Sequence, residues 1–559
     1  MLHSPQNTDL SKLPASSQGA QLKISSTKRR KATLYRKQTV FEQDGPPFLS
    51  IQEVLVRVGF FGRYQVFCCV ITIYSAIFWT TNYLLLLHPT VSKTWSCSNQ
   101  LTSVNQTYYL QSYGKNFCEE IINCTVLRPV NSTFVSVVDE WKLFCDDSSL
   151  SYFVLLSYVL GRMLGCFVGG FIGDNIGRMW GIMCLQAVLL VTSMMSIAST
   201  TWKTFIAFQF FNGIIYGHMR VTCTTMLVET ADRKYRTITH MCFQKSLGFI
   251  VNAMLASCTL HWRMHIIMMN LLASPLLYFY LLYQESYRWL ISTGRLKKAL
   301  NVISELNSDR WRKIKQPEIY EAQLAMIPHS DPRKRPYTLL DLICFKRWRP
   351  LILLLAVLHI INGTTSTVFY PYDEWHYFNV NFHLLLCGLL SLISSIAFVV
   401  ADIQIAKLGH KPILLVCLTI QGLALLGLII YPLNSASVRN AVQYSLKLIL
   451  IMVGESVYHL IIFHATTASF PTVVRCHAFA LFHACYDVGI IFMTLLLVRA
   501  KDNAIYPFIL CEVLVVLGGV LTFFFFPETK YARSNKLFPD MLPTAVDSDM
   551  EATPRSIES

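Results

Sequence analysis

The sequence has few charged residues for its length. Asp, Glu, Lys and Arg make up only 14% of its 559 residues, hydrophobic residues make up 53%, and the mean hydropathy is +0.42. Soluble proteins usually carry about 25% charged residues. The scarcity of charge excludes an ordinary soluble fold, so we expect a protein whose solvent is mostly lipid.

Motifs of enzymes and ATP-driven pumps are also missing. The sequence contains no GxxxxGK[ST] phosphate-binding loop, no HExxH zinc motif and no paired-cysteine metal spacing. Its beginning lacks the apolar core of a cleaved signal peptide. We therefore expect no enzyme activity, no cofactor and no bound metal. Any transport of a solute across a membrane would be driven by ion or substrate gradients and not by ATP hydrolysis.

Apolar runs long enough to cross a bilayer recur along the chain. A hydrocarbon core about 30 Å thick needs roughly 20 apolar residues per helix, and backbone groups in lipid must bond within their own segment, so such runs are helices. The predicted fold is all-α, with twelve transmembrane helices in two six-helix halves, the plan of many carriers. The predicted spans are residues 64–87, 150–173, 179–198, 203–226, 238–259, 264–283, 350–371, 381–401, 411–431, 444–469, 478–499 and 504–526.

The distribution of basic residues predicts the orientation. Ten Lys and Arg precede the first span and fourteen lie between Gln284 and Arg349, but only four lie between Thr90 and Ser149. Positive charge marks cytoplasmic loops, so the net charge of +15 reflects topology, and nucleic acid is not an expected partner. The predicted parts are a cytoplasmic disordered tail (1–60), one half (61–283) with an outer loop at about 89–149, a cytoplasmic loop (284–348), the other half (349–527) and a cytoplasmic tail (528–559).

The predicted outer loop carries two signs of an oxidising, extracellular compartment. It contains three glycosylation sequons and an even number of cysteines. We expect glycosylation, a plasma-membrane location and two disulfides, and the sequence leaves the three possible pairings open. The residues are Asn105, Asn123 and Asn131 for the sequons, and Cys97, Cys118, Cys124 and Cys145 for the disulfides.

A motif between the second and third spans suggests a family. Residues 169–181 read GGFIGDNIGRMWG, in which small residues let helices approach closely. The motif resembles the cytoplasmic loop signature of the major facilitator superfamily. The resemblance implies that Asp174, Gly177 and Arg178 form a charged turn that holds one state of an alternating-access carrier.

Further motifs narrow the resemblance to the organic cation and organic anion transporters, solute carrier family 22. They are GFFGRYQ at 59–65, EWKLFCDD at 140–147, Glu229 with Arg236, ESYRWLISTGR at 285–295, PTVVR at 471–475 and PETK at 527–530. The family implies transport of a small organic ion across the bilayer, as uniporter or exchanger, and leaves a co-transported ion open.

The second half departs from the family pattern at gating positions. Its counterpart of the charged turn reads IAKLGHKP, with Ala406 where the family has Asp and His410 where it has Arg. Ala468 stands where a Glu usually precedes PTVVR. These losses motivate an alternative, a transporter-derived receptor or scaffold that no longer carries substrate.

Ionisable residues inside the predicted spans are candidates for function, because each costs at least roughly 2.5–3.5 kcal/mol to insert. Asp487 lies roughly 13 Å from the cytoplasmic end of the eleventh span at 1.5 Å per residue. It falls where cation-carrying relatives have Asp, so we expect a cation or zwitterion, with an organic anion as the alternative. The predicted substrate-binding residues are Asp487, Tyr486, Arg220 and Lys245, and the predicted gating residues are Asp174, Gly177, Arg178, Glu229, Arg236, Arg475, Arg162 and Glu455.

Two ambiguities stay open at this point. Asp487 could instead pair with Arg220 or Lys245, and the cationic residues could attract a carboxylate. Four histidines in or beside the spans could relay protons, since histidine titrates near neutral pH, or could be hydrogen-bonded core residues. They are His359, His459, His464 and His483.

Overall fold

The fold is known from a computed structural model. It describes residues 63–87, 94–98, 107–111, 117–122, 124, 126–130, 134–145, 148–231, 235–242, 245–308, 338–344, 346, 348–368, 380–405, 409–430, 436–499 and 505–530. The predicted tail (1–60), the three sequon asparagines and Ala406 lie outside these ranges.

The first half is a helix bundle with a small domain inserted after its first helix. Long apolar runs form the helices, and polar residues mark their ends. The side chain of Thr201, for example, accepts a hydrogen bond from the backbone of Thr204 at the start of one helix, as N-caps do. The elements are α1 (Arg63–Leu87), β1 (Thr94–Ser98), β2 (Thr107–Gln111), α2 (Phe117–Ile122), β3 (Val126–Val130), α3 (Val137–Trp141), α4 (Ser148–Asn175), α5 (Arg178–Ile197), α6 (Trp202–Thr230), α7 (Arg236–Met241), α8 (Ser246–Thr259), α9 (Trp262–Ala273) and α10 (Leu276–Leu281).

Short helices then lead to the second bundle. In that bundle the tenth predicted span contains a π-helix, Ile451–Tyr458, between two α-helices. Such segments are rare and frequently occur at functional sites. The elements are α11 (Tyr287–Ser292), α12 (Leu296–Ser308), α13 (Leu339–Cys344), α14 (Arg349–Val368), α15 (Val380–Gln404), α16 (His410–Ile430), α17 (Ala436–Leu450), the π-helix, α18 (His459–Ser469), α19 (Arg475–Arg499) and α20 (Ile505–Phe525).

Within the described residues, ten segments are long and apolar enough to cross a membrane. They coincide with ten predicted spans. The other two predicted spans correspond to α6, which carries Arg220 and Glu229, and to the divided segment α7 and α8. The helical membrane fold is therefore confirmed, while the count of twelve spans stays a prediction.

The inserted domain is a three-stranded antiparallel sheet in the order β2-β1-β3. Disulfides join Cys97 to Cys124 and Cys118 to Cys145, which answers the pairing that the sequence left open. Glu140 accepts hydrogen bonds from Trp262 and Arg263 at the start of α9. Because the domain lies between the end of α1 and the start of α4, it sits at the bundle end opposite the α4–α5 turn.

Close helix packing in the first half positions the charged residues. Glycines on α4 and α6 face the backbone of the other helix; a Cβ on Gly217 would lie 2.0 Å from the carbonyl oxygen of Arg162. No other residue fits at that distance, so α4 and α6 meet backbone to backbone. This packing brings Arg162 and Arg220 to the same level, facing α19 of the second half.

Candidate functional site

A cavity lies between the two halves at the level of the buried charges. It is bounded by α1, α6, α7, the start of α8, the π-helix, α18 and α19, so both halves contribute to its wall. Its lining mixes aromatic rings with charged and imidazole groups: Ala76, Trp79, Thr80, Tyr216, Arg220, Thr224, His240, Lys245, Glu455, His459, Leu460, Phe463 and His483. A small site of this character suits an ion with an apolar part.

Asp487 does not line this cavity. Its carboxylate accepts two hydrogen bonds from Arg162, at 3.0 Å from Nε and 2.6 Å from Nη2, and Arg220 Nη1 lies 3.7 Å away. Asp487 is fully buried, and Arg162 is 2% exposed. The closest partner of Asp487 is therefore Arg162, neither of the two partners that the sequence suggested.

A second ion pair borders the cavity. Lys245 Nζ donates to Glu455 Oε2 at 2.9 Å and to the Tyr486 hydroxyl at 2.6 Å. The ring of Tyr486 lies beneath both Lys245 and Arg220, with ring centroids 5.1 and 5.3 Å from the cationic groups, a cation–π arrangement. Glu455 comes from the π-helix, and Lys245 lies in the turn before α8, so both residues sit where regular helix is interrupted.

The positive charges around the cavity outnumber the negative charges by one. Arg162, Arg220 and Lys245 carry three positive charges against the two negative charges of Asp487 and Glu455. Among the described residues, the carboxylate near Arg220 is that of Asp487, at 3.7 Å. A buried charge without a full partner is unfavourable by several kcal/mol (roughly). The cavity wall beside Arg220 therefore favours an incoming negative group.

Several polar atoms of the cavity wall have no hydrogen-bond partner in the part of the chain that the structure describes. They are Trp79 Nε1, Glu455 Oε1 and both ring nitrogens of His483. Buried polar groups are nearly always hydrogen-bonded. Open donors and an open carboxylate oxygen in one cavity are the features expected of a binding site that awaits a polar ligand.

A separate cluster of charged residues lies at one end of the interface between the two halves, where α4 and α6 end and α19 begins. We call Asp174, Arg178, Glu229, Arg475 and His477 the inner-end cluster. Arg178 Nη2 lies 3.2 Å from Asp174 and 3.3 Å from Glu229, and Arg475 Nη1 lies 3.2 Å from Glu229. Asp174 also accepts from the backbone and the ring of His477, at 3.0 and 2.7 Å. These bonds join the two halves.

The first half places its charged turn with Gly177 and Glu285. Gly177 has φ +137°, and a Cβ there would lie 2.7 Å from the Glu285 carboxylate, so glycine is required. Glu285 accepts from the backbone N–H groups of Arg178 and Met179 at 3.2 and 3.1 Å. A carboxylate on the first N–H groups of a helix stabilises its start.

The second half also has a carboxylate at the start of a helix. Glu528 accepts from the backbone N–H groups of His410 and Lys411 at 2.9 and 3.2 Å. His410 Nε2 lies 3.0 Å from Asp402, and Lys530 Nζ lies 2.8 Å from the same carboxylate. Asp402 and Lys530 thus form an ion pair at the end of the second half where the sequence showed charged positions as lost. Glu285, Glu528 and Asp402 were not among the site residues predicted from the sequence, although the first two follow the last helix of each half.

Two of the predicted gating residues lie apart from the others, and their gating role stays a prediction. Arg162 and Glu455 lie at the central level with the predicted substrate-binding residues, because their partners Asp487 and Lys245 are there. Arg236 is buried at the start of α7, beside the inner-end level. The remaining predicted gating residues, Asp174, Gly177, Arg178, Glu229 and Arg475, lie in or next to the inner-end cluster.

The sequence matches the sugar (and other) transporter family over residues 98–537. Among curated proteins it is 24% identical over 466 residues to solute carrier family 22 member 6-A of Xenopus laevis, covering 81% of this chain and 76% of that one. It is 23% identical over 507 residues to organic cation/carnitine transporter 3 of Arabidopsis thaliana, covering 88% and 93%.

Solved structures show the same fold. The xylose transporter XylE from E. coli, in a partially occluded inward-open conformation, matches with a TM-score of 0.58 at 14% identity, covering 84% of this chain and 100% of that one. A human organic anion transporter matches with a TM-score of 0.53 at 14% identity, covering 82% and 100%.

Proposed function

The chain belongs to the sugar (and other) transporter family, in the major facilitator superfamily, and from that premise we propose that it carries small organic zwitterions across the membrane by rocking of its two halves. Its relatives include organic cation and organic anion transporters, so small organic ions are the substrate class. The charge preference is our proposal, and transport as uniporter or exchanger without a catalytic step is part of it.

The observation that carries the proposal is the composition of the cavity wall. Arg220 is the cavity cation with the weakest partner, at 3.7 Å from Asp487, and it offers a site for a carboxylate. Glu455 Oε1, which has no partner within the described ranges, offers a site for a cationic group among aromatic rings. A zwitterion satisfies both sites at once.

The preference for a cation that the sequence predicted from Asp487 stays a prediction. Its carboxylate is fully buried and is bonded twice by Arg162, so a direct contact with a substrate cation would have to displace that arginine. An organic anion is the second candidate, because Arg162, Arg220 and Lys245 carry one positive charge more than Asp487 and Glu455 neutralise.

The orientation is also proposed. The basic segments support cytoplasmic termini and a cytoplasmic central loop, and the two disulfides support an extracellular position for the β-sheet domain. A plasma-membrane location and glycosylation at Asn105, Asn123 and Asn131 complete this part of the proposal.

Uptake of three labelled probes tests the function. Cells expressing the wild type are expected to take up carnitine, a zwitterion, better than phthalate, a dianion, or tetramethylammonium, a cation. In Arg220→Gln the KM for carnitine is expected to rise at least about tenfold, because a hydrogen bond to a charged group is worth about 1.5–3 kcal/mol. Asp487 keeps Arg162 in that variant, so folding is preserved.

Arg128→Gln provides the matched control, since Arg128 is exposed on β3, outside the membrane bundle. It should leave every KM unchanged after correction for surface expression. An Arg220→Gln protein that takes up carnitine with the wild-type KM would remove Arg220 from recognition. Preference for phthalate in the wild type would instead favour the anion candidate.

A further inference from the structure

A second cavity lies inside the first half, enclosed by α1, α4, α5, α6 and α9. The free space between its lining atoms, open mouth included, is about 550 Å³, within the range of sites for drug-sized ligands. The lining is mostly apolar and aromatic, with Phe78, Leu189 and Met269 among its residues. None of the described residues that line it is Asp, Glu, Lys or Arg, so the cavity suits an uncharged molecule.

Two buried side chains on the wall of this cavity present unpaired acceptors. Gln186 on α5 and His265 on α9 are each 1% exposed, and neither Gln186 Oε1 nor His265 Nε2 has a hydrogen-bond partner among the residues with described positions. The Thr259 hydroxyl donates to the Leu255 carbonyl at 2.8 Å, so its 3.4 Å contact with His265 Nδ1 uses the N–H of the ring. His265 Nε2 is therefore the unprotonated nitrogen of a neutral imidazole.

A hydrogen bond between α5 and α9 holds the wall together. Asn270 Nδ2 donates to Ser193 Oγ at 2.9 Å, and both residues line the cavity. Asn270 Nδ2 also donates to the Ile266 carbonyl at 2.9 Å, so both of its amide hydrogens are used. The Asn270 amide therefore has no hydrogen left for Gln186 or His265, and their donors have to come from a molecule inside the cavity.

We propose that this cavity binds a small uncharged aromatic molecule with hydroxyl groups and that the bound molecule regulates the carrier. The apolar walls surround the ring, and the hydroxyl groups donate to Gln186 Oε1 and His265 Nε2. Water also satisfies such acceptors, but it leaves the apolar walls hydrated, which is unfavourable. A buried acceptor without a donor is unfavourable too, so the same ring without hydroxyl groups binds more weakly.

Aromatic rings connect this cavity with the central one. Trp79 and Tyr216 line both cavities, and their ring centroids lie 5.5 Å apart. Tyr216 also stacks on Tyr158 at 6.0 Å, and the Arg162 guanidinium lies 5.8 and 5.9 Å from these two rings. A molecule that fixes these rings restricts the rearrangement of the central site without occupying it. The expected effect is a lower maximal rate of transport that excess substrate does not reverse.

Photolabelling of the full-length protein in liposomes tests the site without any need for transport. The label is a benzyl alcohol that carries a trifluoromethyl diazirine opposite its hydroxymethyl group, and peptide mass spectrometry locates it. Labelling is expected on α5 and α9. Para-benzenedimethanol, which has two hydroxyl groups, should displace the label at an about tenfold lower concentration than para-bis(methoxymethyl)benzene, which has no O–H donor, because two hydrogen bonds are lost.

Gln186→Met and His265→Phe each remove one acceptor and keep a side chain of similar size. Each is expected to lower the tenfold difference between the two competitors to about threefold, and the double variant should abolish it. Folding is retained because the lost groups had no partner, and thermal unfolding checks this for each variant. Gln421→Met is the matched control: Gln421 on α16 of the second half is also 1% exposed, and its Nε2 has no partner among the described residues.

Uptake measures the regulation, and this part rests on the proposed function. Para-benzenedimethanol is expected to lower the maximal uptake rate of the best-transported probe at least about twofold in the wild type, but not in the double variant. Labelling of α5 and α9 that neither competitor displaces, or an unchanged tenfold difference in the double variant, would overturn the site. Displacement without an effect on uptake, or inhibition that excess substrate reverses, would overturn the regulation. Absence of wild-type uptake with every probe would contradict the proposed function and leave the labelling result standing.

Discussion

Asp487→Asn is expected to abolish uptake of all three probes and to lower the free energy of unfolding by about 3–5 kcal/mol. The substitution leaves Arg162, 2% exposed, and Arg220 close together without a counter-charge. Removing one partner of a buried pair is far more costly than removing both. Thermal unfolding in detergent and cell uptake measure the two effects.

The double variant Arg162→Gln, Asp487→Asn is the control. It removes both charges, so its loss of stability should be clearly smaller than the sum of the two single losses. An Asp487→Asn protein of wild-type stability that loses only tetramethylammonium uptake would contradict this account. That result would make Asp487 a direct substrate contact, as the sequence alone predicted.

Glu229→Gln is expected to open the inner-end cluster. Glu229 is fully buried and is the shared partner of Arg178 and Arg475, so the change removes two charge-assisted contacts, one of them between the halves. Each such contact is worth about 1.5–3 kcal/mol, and 1.4 kcal/mol shifts an equilibrium tenfold. We expect a shift of population towards the state open at this end.

A native cysteine reports this opening. Cys476 is fully buried at the start of α19, beside Asp174, and a membrane-permeant maleimide should label it at least tenfold faster in Glu229→Gln, as read by peptide mass spectrometry. Cys511, equally buried in α20, should stay unlabelled in both proteins. Equal labelling of Cys476 in variant and wild type would mean that Glu229 does not hold this interface closed.

The sequence predicted the parts of the fold that lipid dictates. Helices in a bilayer must satisfy their own backbone and need a fixed apolar length, so hydropathy located them. Asp174, Arg178, Glu229 and Arg475 were found because a family motif carries them. α6 and the α7–α8 segment do not have the uniform hydropathy of the other spans. Their charged or interrupted stretches face the protein interior and not lipid.

The central ion pairs could not be predicted in the same way. Arg162 and Asp487 are 325 residues apart, and which face of α4 meets α19 is decided by glycine packing against α6, not by the hydropathy of either helix. Lys245 and Glu455, similarly, meet through a helix break and a π-helix. The roles of Glu285 and Glu528 become clear only in the structure, where the two residues occupy equivalent positions after the last helix of each half.

The central claim is that a small organic ion with a carboxylate binds beside Arg220 and crosses as the halves rock. Counterflow in liposomes tests it most directly. Vesicles of wild-type protein loaded with unlabelled carnitine are predicted to take up labelled carnitine transiently above equilibrium. At carnitine concentrations near the wild-type KM, the overshoot should be much smaller in Arg220→Gln. Saturable carnitine binding without any flux would contradict the claim and identify the protein as a receptor built on a transporter fold.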